Sequence, residues 1–140
     1  IIVADRNWGT GSSRESAVYA LYEFGIRCVI ASGFGDIHAA NCTKNGLLPV
    51  VLPEDDVVAL RRLLHGAPGA MLSVDLAAQT VTDPDGRQYG FEIHPARKKC
   101  LLEGLDDISR TQQCEGATAA FEAAYRAERP WLFEFAASDR

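Results

Sequence analysis

Two short apolar segments dominated by β-branched residues, Ile1-Ile2-Val3-Ala4 and Ile26-Arg27-Cys28-Val29-Ile30-Ala31, leave few folds open to the first third of this chain. Strands this uniformly apolar are covered on both faces, and two of them joined through a helix make a parallel strand-helix-strand unit. Residues 12–24 supply the helix, since Ala17, Ala20, Leu21 and Phe24 recur at helical spacing and Gly25 stops it. Between strand and helix lies a polar, glycine-containing loop, residues 5–11. An apolar strand directly at residue 1, with no Met before it, carries the expectation that the natural protein has a further segment upstream.

The pattern continues with a helix over 36–44 ended by Asn45-Gly46, a strand over 47–52, and a third helix opened by Pro53-Glu54-Asp55-Asp56, with Val57, Leu60 and Leu64 on one face. The later half changes period. Leu72, Val74 and Leu76 alternate with polar residues, Pro84-Asp85-Gly86 marks a turn, and Tyr89, Phe91 and Ile93 alternate again, predicting an antiparallel hairpin or meander. Helices end the chain, with Ala117, Ala120, Phe121, Ala124 and Tyr125 forming a stripe. The expectation is an α/β fold of mixed parallel and antiparallel strands with flanking helices, one domain over 1–131 and a tail over 132–140.

Composition excludes several functions. A formal net charge of -5, with Lys and Arg scattered along the chain, gives no basic field for nucleic acid. No apolar run approaches the ~20 residues of a membrane span, and no secretory signal opens the chain, so a cytoplasmic setting is expected. Cys28, Cys42, Cys100 and Cys114 show neither CxxC nor zinc spacing, so four free thiols and no metal site are expected.

Chemistry concentrates in Asn7-Trp8-Gly9-Thr10-Gly11-Ser12-Ser13-Arg14-Glu15, where glycines, hydroxyls and a guanidinium meet at a strand-to-helix junction. Free backbone N–H groups at such a junction favour an anion. The plainer alternative is a capping box, because Ser12-Ser13-Arg14-Glu15 fits S-x-x-E. No Lys follows the glycines and Arg14 stands where a dinucleotide loop has its third glycine, so phosphate readings are weak. The fork of Arg14 suits a carboxylate. His38 and His94 read as surface or structural residues, Lys44-Asn45-Gly46 as a helix end, and Asp106-Asp107 as a helix start; Trp8 either lines the site or faces a partner.

Gly11-Ser12-Ser13-Arg14-Glu15, then Phe34-Gly35-Asp36-Ile37-His38, Asn41-Cys42-Thr43-Lys44-Asn45-Gly46-Leu47-Leu48-Pro49 and Cys100-Leu101-Leu102-Glu103-Gly104-Leu105-Asp106-Asp107-Ile108 together resemble the small subunits of bacterial 3-isopropylmalate dehydratases, in the aconitase superfamily. The resemblance implies an aconitase-type swivelling domain and a large-subunit partner whose own cysteines hold a [4Fe–4S] cluster, none being bound by this chain. It implies isomerisation of 2-isopropylmalate and 3-isopropylmalate through 2-isopropylmaleate, in leucine biosynthesis. Ser12 matches the superfamily's catalytic base, and Gly11, Ser13 and Arg14 match positions that bind a substrate dicarboxylate; the partner's open iron would act as Lewis acid on the departing hydroxyl. Thr10 and Ser16 stand where the family usually has Cys and His, which keeps citraconate/2-methylmalate and homoaconitate hydratases open as alternatives. From a different class, a non-catalytic anion-binding module remains.

Overall fold

The computed structural model describes residues 1–11 and 13–133; Ser12 and residues 134–140, which include most of the expected tail, lie outside the described residues. Two compact units follow each other along the chain, Ile1–Asp106 and Asp107–Arg140.

The first unit is built on a parallel sheet of three strands in the order β1 (Ile2–Val3), β2 (Cys28–Ala31), β3 (Leu48–Val51). Helix α1 (Ser16–Glu23) connects β1 to β2, and α2 (Asp36–Lys44) connects β2 to β3. Register pairs Val3 with Ile30 and Ile30 with Val50, and the Ala4 N–H donates to the Ile30 carbonyl at 2.8 Å. Alternation along β2 sends Cys28 and Ile30 to one face and Val29 and Ala31 to the other, and all four are buried. Val29 and Ala31 join Val18 of α1 and Cys42 of α2 in one core. Cys28 and Ile30 join Val57 and Leu60 of α3 (Glu54–Gly66) and Val81, Tyr89 and Phe91 in another. A sheet clad on both sides explains why its strands read as continuous apolar runs.

The alternating segments form a second sheet, an antiparallel meander in the order β4 (Ser73–Asp75), β5 (Thr80–Thr82), β6 (Gln88–Gly90). Its Pro84-Asp85-Gly86 turn is tied by buried Asp83, whose carboxylate accepts from the Asp85 N–H at 3.0 Å, the Arg87 N–H at 2.9 Å and the Tyr89 hydroxyl at 3.0 Å. Helix α4 (Pro95–Glu103) was not foreseen. Pro95 occupies its first turn, and His94 caps it by accepting the Ala96 N–H on Nδ1 at 3.2 Å, a structural role for that histidine.

Two expectations about α1 are corrected. It begins at Ser16, not at residue 12, and the residue before it, Glu15, has helical φ and ψ with no side-chain cap bond. The inward face is carried by Val18 with partly buried Leu21, whereas Phe24 is 85% exposed, because the helix has ended by then and the chain turns at Gly25 with φ +91°.

Among its described residues the second unit holds α5 (Asp107–Gln112), α6 (Glu115–Glu128) and a 3-10 turn over Pro130–Leu132. The expected stripe lies on α6, where Phe121 stacks on Tyr125 with ring centroids 5.5 Å apart, yet no residue of α6 is buried.

Candidate functional site

The loop of residues 5–15 leaves the carboxyl end of β1. Carboxyl ends of parallel strands are where open α/β sheets hold ligands, because the connecting loops diverge there and leave a crevice. Such a crevice, of about 940 Å³, is lined by residues that follow all three strands: Arg6 and Asn7 after β1, Ser32 and Gly33 after β2, Leu52 and Pro53 after β3.

The loop is anchored on its neighbour, the short connection from β2 to α2. Trp8 N–H donates to the Gly33 carbonyl at 3.0 Å, Gly35 N–H donates to the Trp8 carbonyl at 2.8 Å, and Trp8 and Phe34 form an isolated parallel bridge. Close approach requires two glycines. Gly9 has φ +76°, and a Cβ there would collide with the His38 side chain at its Cβ, Cγ and Cδ2. A Cβ on Gly35 would lie 3.0 Å from the Gly9 carbonyl oxygen and 3.2 Å from the Thr10 Cα. Asn7, with φ +59°, is one of two non-glycine residues in the left-handed region among the described residues, a conformation that asparagine adopts more readily than other side chains.

Beyond the turn the chain opens to solvent. Gly11, Ser13 and Arg14 are exposed, and nothing comes within 4 Å of a Cβ added at Gly11. Ser12, the expected base, lies outside the described residues. A crevice of about 310 Å³ brings Thr10 and Ser13 together with Asp36 and His38, and one of about 290 Å³ on the Gly11 side is lined by Trp8, Ala17, Leu21 and His38. The Glu15 carboxylate is taken by side chains beyond the cap, from Tyr19 Oη at 3.3 Å and Asn45 Nδ2 at 3.2 Å.

His38 was expected at the surface or in a structural role; it is 3% exposed, beneath the turn. Its Nε2 is buried without a hydrogen-bond partner, as is Trp8 Nε1. Burial pushes the imidazole below its ordinary value of 6.5. The folded chain therefore binds fewer protons than the unfolded chain between the two values. The resulting stability is fully present above the unfolded value and is lost as pH falls through the folded one. Lowering pH from about 7.5 to about 5.5 should shift the urea midpoint of the wild type more than that of His38→Phe; equal shifts would show that His38 does not titrate differently on folding.

Against known families, residues 1–55 match the model of the aconitase C-terminal domain and residues 59–95 match that of LeuD_N. The chain is 51% identical over 132 residues to the 3-isopropylmalate dehydratase small subunit of Paramagnetospirillum magneticum, and 52% identical over 132 residues to that of Xanthobacter autotrophicus. Each alignment covers 94% of this chain and 66% of the relative, so the chain spans a little under two thirds of those proteins' length. Among solved structures, 3-isopropylmalate dehydratase (LeuD) from Methanocaldococcus jannaschii superposes with a TM-score of 0.64 at 24% identity, over 84% of this chain and 65% of that one. That likeness bears out the α/β fold with mixed sheets.

Proposed function

The chain belongs to the family of 3-isopropylmalate dehydratase small subunits, which carry an aconitase C-terminal-type domain, and on that premise we propose that it is the substrate-binding small subunit of a hydro-lyase interconverting 2-isopropylmalate and 3-isopropylmalate in the cytoplasm. The observation that supports this reading most is the loop of residues 9–15. It is pinned at Gly9 from below, is exposed at Gly11, Ser13 and Arg14, and there carries the Ser13 hydroxyl and the Arg14 guanidinium.

In this reading Ser13 and Arg14 hold one carboxylate of the substrate, with Gly11 leaving room for it. Ser12, as the alkoxide, removes the proton from the carbon next to that carboxylate. A serine hydroxyl is too weak an acid to do this unaided, so the loop's N–H groups and Arg14 stabilise the negative charge. The [4Fe–4S] cluster belongs to the large-subunit partner. This chain's thiols do not fit it: Cys28 and Cys42 sit in different cores, with burial pushing them up to about 12 and about 11, and no three metal-binding side chains converge among the described residues.

Reconstitution tests the reading. The full-length small subunit, combined anaerobically with its large subunit, should turn over 3-isopropylmalate in preference to citraconate or homoaconitate, followed by absorbance of the unsaturated intermediate. Preference for another diacid would keep the fold and move the substrate; failure of every diacid together with failure to bind a large subunit would leave an anion-binding module. Within the same assay Arg14→Lys should lower kcat/KM about tenfold to a hundredfold, since an ammonium cannot reproduce a two-pronged contact with a carboxylate. An unchanged value would remove Arg14 from substrate binding.

A further inference from the structure

Two residues of α2, His38 and Asn41, with its N-cap Gly35 and C-cap Asn45, spaced three or four apart and so along one side of the helix, meet the site loop at successive points. Gly35 lies against the backbone of Gly9 and Thr10, and the His38 ring fills the space a Gly9 side chain would need. Asn41 Nδ2 donates to the Ser13 carbonyl at 3.5 Å. Asn45 Nδ2 donates to the Glu15 carboxylate at 3.2 Å and to the Asn41 carbonyl at 2.9 Å. The loop is thus supported along its length by one stripe.

Within that stripe the His38 nitrogen stands out. The ring's packing against Gly9 would be served as well by carbon, and a buried nitrogen without a partner costs the free fold stability. Its use must arise in another state of the loop. When the N–H groups of a loop turn toward an anion, the carbonyls of the same peptide planes turn the opposite way. On this loop one carbonyl, that of Ser13, already faces α2 and accepts from Asn41, the helix in which His38 Nε2 is buried.

Resting on the reading above that residues 11–14 hold the substrate, we propose that the Gly35–His38–Asn41–Asn45 face of α2 is the cradle that positions this loop, and that His38 is a positioning residue whose Nε2–H donates to a loop carbonyl once a carboxylate is bound. The imidazole serves the working enzyme, not the stability of the fold.

The test uses the full-length small subunit assembled with its large subunit. His38→Phe should match or exceed the wild type in melting temperature and keep its assembly while kcat/KM falls about tenfold or more, since small misplacements of a site cost that much. His38→Gln, which returns a donor near the Nε2 position, should recover to within about threefold of wild type. Wild-type kinetics in His38→Phe, or loss of its fold or assembly, would overturn the proposal, as would failure of the Gln variant to recover. Hydrogen exchange of the amides of residues 9–15 gives a readout independent of turnover. Saturating 3-isopropylmalate should slow them in the wild type and not in His38→Phe; equal slowing in both would also overturn it. Should the wild type act on no diacid, the proposed function fails separately. The cradle is then judged by whether Asn41→Ala and His38→Ala speed exchange at residues 9–15 without ligand: faster exchange supports it, and unchanged exchange sinks it.

Discussion

Ser12→Ala is expected to abolish turnover, with kcat falling about ten-thousandfold or more, while the variant still assembles with its large subunit and binds 3-isopropylmalate within about tenfold of wild-type affinity. The asymmetry follows from the division of labour proposed for the loop. Arg14 and Ser13 meet the carboxylate in ground state and transition state alike, so binding survives without the Ser12 hydroxyl. Proton removal does not survive, because neither neighbour supplies a base: a guanidinium offers donors and no acceptor, and Ser13 is committed to the carboxylate. Single-turnover kinetics beside isothermal titration separates the two quantities. A loss of affinity as large as the loss of rate would make Ser12 a binding residue, and unaltered turnover would send the search for the base elsewhere.

The parallel sheet was legible because its determinants are local. An uninterrupted run such as Cys28-Val29-Ile30-Ala31 has no polar side to give to solvent, and the structure buries both faces of it. Helix α2 was read to both its ends, since Gly35 leads into Asp36 and Asn45-Gly46 cannot prolong it; Gly46 has φ +75°. The meander was legible for a similar reason, its turn being specified by Asp83-Pro84-Asp85-Gly86 almost without outside help.

The start of α1 was not legible, because S-x-x-E is an equally good description of a cap and of a loop that happens to contain those residues. Ser12 lies outside the described residues, and the Glu15 carboxylate is engaged by Asn45, the C-cap of α2, 30 positions away. Of the two roles read for His38, surface or structural, the structure shows the structural one, a buried ring. Nothing adjacent to it in sequence announces burial; the ring is enclosed because Gly9, in the preceding strand-to-helix loop, presents bare backbone to it. The usable signal was the pairing of Gly9 and Gly35 in consecutive loops of a parallel sheet, which lie side by side wherever β1 and β2 pair. The candidate site residues themselves came from the family resemblance and from the concentration of hydroxyls and charge, not from periodicity.

The two glycines of the loop should part company when each is replaced by alanine. Gly9→Ala asks a side chain to adopt φ +76° and to occupy the space of the His38 ring. The first costs about 1–2 kcal/mol and the second a further 1–3 kcal/mol, because the atoms met include the His38 Cβ, which is fixed to the helix backbone and cannot turn away. Against a total stability of about 5–15 kcal/mol this is a large fraction, and the urea midpoint should fall accordingly. Turnover should fall with it, since the distortion is delivered to the backbone just ahead of Ser12. Gly11→Ala meets no atom within 4 Å and needs no left-handed φ, so the midpoint should stay put. In the proposed complex, however, the added methyl lies where the substrate carboxylate approaches the loop, so kcat/KM should drop with the fold intact. Gly9 would then be a residue of the scaffold and Gly11 a residue of the site. A stable Gly9→Ala protein with wild-type turnover would show that the loop is not pinned by His38, and a fully active Gly11→Ala protein would move the carboxylate away from this turn.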